Sequence, residues 1–191
     1  MIRAIIFDCF GVIITDALEA ICKPLRIEQP EVALQIRDLV QASNRGMLTP
    51  QESGKQTARL LGMSYEAYRQ KIADGEAKDA ELLAYIAGLR SNYKTAMLSN
   101  IGVGGLLRRF ETGELERYFD VVVTSGEIGY AKPEAQAYEI TADRLGVRLD
   151  ECIFIDDREP YCAAARGVGM QAMLYQDLAQ FRAELEQLLA A

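Results

Sequence analysis

The sequence predicts an α/β fold: a parallel, five-stranded Rossmann-like sheet in the order 3-2-1-4-5, with a small α-helical cap domain. Two observations carry this expectation. Five short runs are β-rich and continuously apolar, as strands covered on both faces are, and the later ones alternate with helical patterns. The first crossover is then too long, because about 85 residues separate the first run from the second, where a βαβ unit needs a dozen or so.

The five runs are residues 3–8 (RAIIFD), 94–99 (KTAMLS), 121–124 (VVVT), 152–156 (CIFID) and 171–175 (QAMLY). Helical patterns follow at 104–110, 133–145 and 161–166, and an amphipathic stretch at 178–189 closes the chain. Inside the long crossover, residues 31–41 place Val32, Leu34, Ile36, Leu39 and Val40 at helical spacing. Thr49-Pro50-Gln51-Glu52 is a capping box with Pro at the first helical position, opening a helix to Leu61. Ser64 caps another, running to about Ala73. A helix over 79–89 returns the chain to the sheet. The expected organisation is a core of residues 1–14 and 78–191 and a cap of residues 15–77 over the carboxyl edge of the strands.

Composition excludes several classes of function. The chain has 191 residues, half of them hydrophobic, which suits one compact core with an insertion. Its 28 Asp and Glu outnumber 21 Lys and Arg, giving a net charge of -7, opposite in sign to a nucleic-acid footprint. No apolar run approaches the ~20 residues a membrane span needs, and Met1-Ile2-Arg3 leads straight into strand-like residues, so a cytoplasmic location is expected. Cys9, Cys22, Cys152 and Cys162 form no CxxC pair and read as small buried hydrophobes. The sequence has no histidine, which removes Ser–His and Cys–His nucleophile pairs and His-ligated zinc. Chemistry must run on carboxylates, Lys, Ser/Thr or a carboxylate-bound metal.

The carboxylates fall where such chemistry would sit. The first strand ends at Asp8 and the fourth at Asp156-Asp157, and ligands of open α/β sheets bind outside the carboxyl ends of strands, where strand order reverses. With strands one and four adjacent, three carboxylates converge. Like charges so close require a counter-charge, and a hard divalent cation, magnesium (Mg2+), is the expected occupant. Ser99-Asn100 ends the second strand ahead of the glycine-rich segment 102–105, offering hydroxyl, amide and backbone N–H donors to an anion. Lys132, held extended by Pro133, adds a positive charge.

Four segments occur in order: Ile5-Ile6-Phe7-Asp8-Cys9-Phe10-Gly11-Val12, Met97-Leu98-Ser99-Asn100, Lys132-Pro133 and Phe154-Ile155-Asp156-Asp157. In these the chain resembles the haloacid dehalogenase (HAD) superfamily of hydrolases, of the type with a helical cap after the first strand, and the resemblance spans nearly the whole chain. It implies an Asp8 nucleophile that forms an aspartyl-phosphate. It also implies Mg2+ held by Asp8, the carbonyl of Phe10, Asp156 and Asp157, with Ser99 and Lys132 on the phosphoryl oxygens of a small phosphorylated metabolite.

One departure bears on catalysis. Most phosphatases of this superfamily carry a second Asp two residues after the nucleophile, and here that position is Phe10. A phenyl ring neither donates nor accepts a proton, so hydrolysis of ordinary esters should fall by roughly 10²–10⁴-fold unless another group, such as Asp16 or Glu19 of the cap, substitutes. Acyl phosphates would be spared. Two alternatives to a phosphatase remain: a non-catalytic binder of phosphometabolites or proteins, and a dehalogenase-like hydrolase. The dehalogenase branch has an aromatic at this position but does not keep the paired aspartates. Tyr161 is a further departure, standing where relatives often have Asn.

Plainer readings apply residue by residue: Asp156-Asp157 as a helix cap, Lys132 as a surface lysine, and Met47, Met63, Tyr65 and Tyr68 as core of the cap. The Cys-x5-Arg spacing of Cys152 and Arg158 is a decoy, because a buried strand and two aspartates lie between them. A receiver-type phosphoacceptor fold would place its acidic pair after the first strand, before the lysine; here the pair follows Lys132.

Overall fold

The computed structural model describes residues 1–190. Strands β1 (Ala4–Phe7), β2 (Lys94–Ser99), β3 (Val121–Thr124), β4 (Cys152–Asp156) and β5 (Gln171–Leu174) form one parallel sheet in the order β3-β2-β1-β4-β5. Helices α1 (Ala17–Glu28), α2 (Pro30–Asn44), α3 (Pro50–Leu60) and α4 (Tyr65–Gly75) are inserted after β1, and α5 (Ala80–Leu89) leads into β2. A short α6 (Ser125–Ile128) and then α7 (Ala135–Leu145), α8 (Glu159–Gly167) and α9 (Leu178–Ala190) complete the chain.

Both faces of the sheet are covered, which is why the strands read as unbroken apolar runs. Side chains alternate across a strand, so Ile5 and Phe7 share one face with Leu82 and Ile86 of α5 and Phe181 and Leu185 of α9. Phe7 and Phe181 meet edge to face at 5.7 Å. Ala4 and Ile6 face the other layer, where Tyr138 of α7 packs edge to face on Phe154 of β4 at 5.2 Å.

The helix starts follow their caps. The Asp16 carboxylate accepts the Glu19 N–H at 2.9 Å, Thr49 and Glu52 form a reciprocal capping box, and Ser64 and Asp79 cap α4 and α5. The chain leaves the sheet region and returns at neighbouring points. Thr15 N–H donates to the Ala77 carbonyl at 3.0 Å, the Thr15 hydroxyl to the Gly75 carbonyl at 2.6 Å, and Ile14 bridges Lys78.

Several expected elements differ. The helix expected over 104–110 is a single 3-10 turn, Leu106–Arg108, because three glycines precede it and Gly104 adopts φ +73°. The helix after Lys132 begins at Ala135 rather than Pro133, after a turn in which Glu134 N–H donates to the Ala131 carbonyl. Helix α8 begins two residues before Tyr161, with Pro160 in its first turn. Helix α1 has no clear signature in the sequence, where Pro24 interrupts the helical pattern. Among the described residues no helix is long and apolar enough to cross a membrane.

Candidate active site

Strand order sets the site. β1 lies between β2 and β4, so whatever follows β1 emerges where the chain's direction of travel across the sheet reverses. Phe7 pairs with Ile155, and Asp8 N–H donates to the Ile155 carbonyl at 2.8 Å, which brings Asp8 beside Asp156 at the end of β4. The carboxylates of Asp8, Asp156 and Asp157 offer oxygens that all lie within 4.8 Å of one another. All three donors are hard oxygens, a set that fits a cation such as Mg2+.

Lys132 enters this cluster from the connection between α6 and α7. Its ammonium lies 2.7 Å from Asp8 Oδ1 and 2.6 Å from Asp156 Oδ2, with Lys132 and Asp156 almost wholly buried. Burial, followed by the Asp8 charge, pushes the Asp156 carboxyl upward in spite of Lys132. Burial and then Asp8 push Asp157 up to about 6. Gly11, at φ +89°, is required here, since a Cβ on it would lie 2.3 Å from Asp157 Oδ2.

Ser99 ends β2 fully buried, and its hydroxyl has no hydrogen-bond partner. A buried orphan hydroxyl is costly unless a ligand meets it. Asn100 lines the cavity and also braces the lysine. Its Oδ1 accepts Lys132 N–H and its Nδ2 donates to the Lys132 carbonyl, both at 2.8 Å, so the amide fixes the lysine backbone. The glycine-rich segment also satisfies itself in part, as Gly105 N–H donates to the Gly102 carbonyl.

Above the strand ends lies a cavity of about 370 Å³, walled by the sheet loops and by α1 to α4. Phe10 lines it, and the Arg109 guanidinium lies 4.9 Å over the phenyl ring. Arg109 is anchored by Glu76 at 2.5 Å and the Gly105 carbonyl at 2.8 Å. Of the two acids considered as replacements for the missing Asp, Asp16 lines the cavity, and burial, then Glu19 and Asp8, raise its pKa. Glu19 does not serve, because Arg26 grips both its oxygens and holds it below the ordinary carboxylate range.

Other expectations are corrected by packing. Tyr65 and Tyr68 are cavity wall rather than core of the inserted helices, and Met47 is 72% exposed. Tyr161 presents its ring to the Lys132 ammonium at 5.2 Å and to Arg158 at 4.8 Å. Cys9, Cys22, Cys152 and Cys162 are buried free thiols. The residues not anticipated are Arg69, Arg108, Arg109 and Glu76. They carry no motif, and only the lengths of the intervening loops bring them to the cavity.

Comparison with known proteins agrees with the fold. The family model for haloacid dehalogenase-like hydrolases matches residues 2–169. A phosphatase of Mycobacterium tuberculosis is 33% identical over 123 residues, 64% of this chain and 54% of its own length, so the chain spans about half of that relative. A D-ribitol-5-phosphate phosphatase of Bacteroides thetaiotaomicron is 26% identical over 201 residues, covering 97% of each chain. The solved structure of a HAD family enzyme of Bacteroides thetaiotaomicron, in complex with magnesium and inorganic phosphate, superposes with a TM-score of 0.74 at 22% identity, covering 95% of this chain and 99% of that one. With the sheet order, the four segments at the strand ends and the family match in agreement, the chain belongs to the haloacid dehalogenase-like hydrolases.

Proposed function

We propose that the chain is a phosphatase of small phosphorylated metabolites, with Asp8 as nucleophile. The observation that carries this is the cluster of Asp8, Asp156 and Asp157 with Lys132 bound between two of them. The unpartnered Ser99 hydroxyl supports it, as do the names of the relatives, four of which are phosphatases of phosphorylated carbohydrates or a sugar alcohol phosphate.

In this reading an Asp8 carboxylate oxygen forms a bond to phosphorus as the bond from phosphorus to the leaving oxygen breaks, giving an aspartyl-phosphate. Lys132 and Ser99 hold the phosphoryl oxygens, and Asn100 keeps Lys132 in place. Asp16 gives the leaving oxygen its proton and then takes one from the water that releases phosphate. Mg2+ would be held by Asp8, Asp156, Asp157 and the Phe10 carbonyl, and when bound it supplies charge neutralisation between nucleophile and phosphate. Residues 15–77 act as the cap that encloses the substrate, over a core of residues 1–14 and 78–191.

The test is Mg2+-dependent phosphate release from acetyl phosphate and p-nitrophenyl phosphate by the wild type and by Asp8→Asn. Loss of activity in the variant is expected, and equal rates would remove Asp8 from the reaction. Phe10 is the one observation that favours a second reading, dehalogenation. Chloride release from a 2-haloacid without added metal would establish that reading instead.

A further inference from the structure

The cavity walls carry more positive charge than one phosphoryl group uses. Lys132, Arg69, Arg108, Arg109 and Arg158 all line it. Lys132 is committed to Asp8 and Asp156, and Arg109 to Glu76. Among the described residues, Arg69, Arg108 and Arg158 have no carboxylate within ion-pair distance. Shortage of acids does not explain this, since the chain has 28 acidic residues for 21 basic ones. Away from the cavity Arg26, Arg90 and Arg144 are paired, whereas Arg59, Arg117 and Arg182 are not among the described residues, so what sets Arg69 and Arg108 apart is that both line one cavity.

The three differ in position. Arg158 follows Asp157 directly, and its Nη1 donates to the Tyr161 hydroxyl at 3.2 Å, so it belongs to the phosphoryl end. Arg69 projects from α4 of the inserted helices, near the Tyr65 ring, whereas Arg108 sits on the 3-10 turn after β2. One therefore belongs to the inserted wall and the other to the sheet wall of the same cavity.

We infer that the substrate carries a second anionic group, a carboxylate or a second phosphate, remote from the transferred phosphoryl, and that Arg69 and Arg108 grip it from the two walls. The inference rests on the phosphatase reading for the first phosphate. A guanidinium presents parallel N–H donors that match carboxylate or phosphate oxygens, whereas a neutral polyol end offers no charge to answer it. A substrate charged at both ends would tie the inserted helices to the sheet loops, and a neutral one would leave both arginines to solvent.

The experiment compares matched ligands by calorimetry in the Asp8→Asn background with Mg2+, which prevents turnover on the proposed mechanism and affects both members of a pair alike. The pairs are 3-phosphoglycerate against glycerol 3-phosphate, and fructose 1,6-bisphosphate against fructose 6-phosphate. The member with the second anion should bind at least about tenfold tighter in one pair or both, and which pair responds tells carboxylate from phosphate. The preference should vanish when Arg69→Gln and Arg108→Gln are added and persist with Arg59→Gln, whose side chain lies outside the cavity. Equal affinity within both pairs overturns the proposal, as does a preference that survives the two cavity substitutions. Acetyl phosphate hydrolysis by the wild type reports separately on the phosphatase reading: no release combined with a clear preference would keep the anion site and remove the enzyme.

Discussion

Lys132 and Asp156 form a 2.6 Å ion pair from which water is excluded, with 1% and 0% of their side chains exposed. The same ammonium serves Asp8 at 2.7 Å, so one cation answers two carboxylates. Burial, the largest influence on Lys132, opposes its charge, yet Asp8 and Asp156 outweigh it and hold its pKa above the ordinary value. Lys132→Met removes the only cation paired with these two buried carboxylates among the described residues. Metal-free protein should lose about 3–5 kcal/mol in urea unfolding at pH 8. The loss should shrink at pH 5, where the abandoned Asp156 carboxyl, raised by burial, can take up a proton. A variant as stable as the wild type at pH 8 would contradict this.

The contribution of Asp157 to the stability of the metal-free protein should fall as pH rises through about 6. Asp157 is raised to about 6, above its unfolded value, so the folded state binds its proton more tightly. The associated stability is full below the ordinary carboxylate range and is lost as pH rises through about 6. Mg2+ requires ionised ligands, so its effect on Tm should be larger at pH 8 than at pH 5. Thermal melts at both pH values, with Mg2+ and with a chelator, measure it; a larger effect at pH 5 would exclude these carboxylates as ligands.

Gly11→Ala should damage the metal site more than the fold. The backbone penalty at φ +89° is about 1–2 kcal/mol, but the new methyl also overlaps Asp157 Oδ2 and must displace that carboxylate. Mg2+ affinity should drop by about tenfold or more in titration calorimetry. Unchanged affinity would place the cation away from Asp157.

Asp16→Asn separates leaving groups. Hydrolysis of an alkyl phosphate should fall by about 10²–10⁴-fold, and hydrolysis of acetyl phosphate, whose leaving group needs little protonation, far less. An acid works only while protonated, so the wild-type rate on the alkyl ester should decline as pH rises past the Asp16 pKa, which burial has raised. That alkaline limb should be absent in the variant. Equal losses on both substrates would make Asp16 merely structural.

Phe10→Asp alone should recover little general acid catalysis. The new carboxylate would lie under Arg109, which stands 4.9 Å over the present ring, and would be held ionised. Combining it with Arg109→Gln should raise alkyl phosphate hydrolysis well above the single variant. Steady-state kinetics of both variants decides, and a single variant already orders of magnitude faster would show that Arg109 does not bind the new group.

The sheet was readable because parallel, doubly covered strands need continuous rather than alternating apolar residues, and short runs such as Ala4–Phe7 and residues 96–98 within β2 state that locally. The positions of Asp8 and Asp156 were readable for the same reason, since one directly follows β1 and the other ends β4. The second task of Asn100 was hidden because its amide pairs with the Lys132 backbone 32 residues away, a contact that no local pattern encodes. Arg109 and Glu76 were invisible likewise: their contact joins a loop to the end of the insertion, and neither residue interrupts any periodicity. Pro24 hid α1, and the glycines at 102, 104 and 105 turned an apparent helix into one 3-10 turn.

Thr15 and Ala77 hold each other by two hydrogen bonds, although about 60 intervening residues form the inserted helices. The excursion is therefore fastened at its base like a loop of rope through one ring. Segments of other lengths spliced between Asp16 and Gly75 would keep this clasp and Asp16, so the wall of the cavity can be changed while the acid and the carboxylates at the strand ends stay in place.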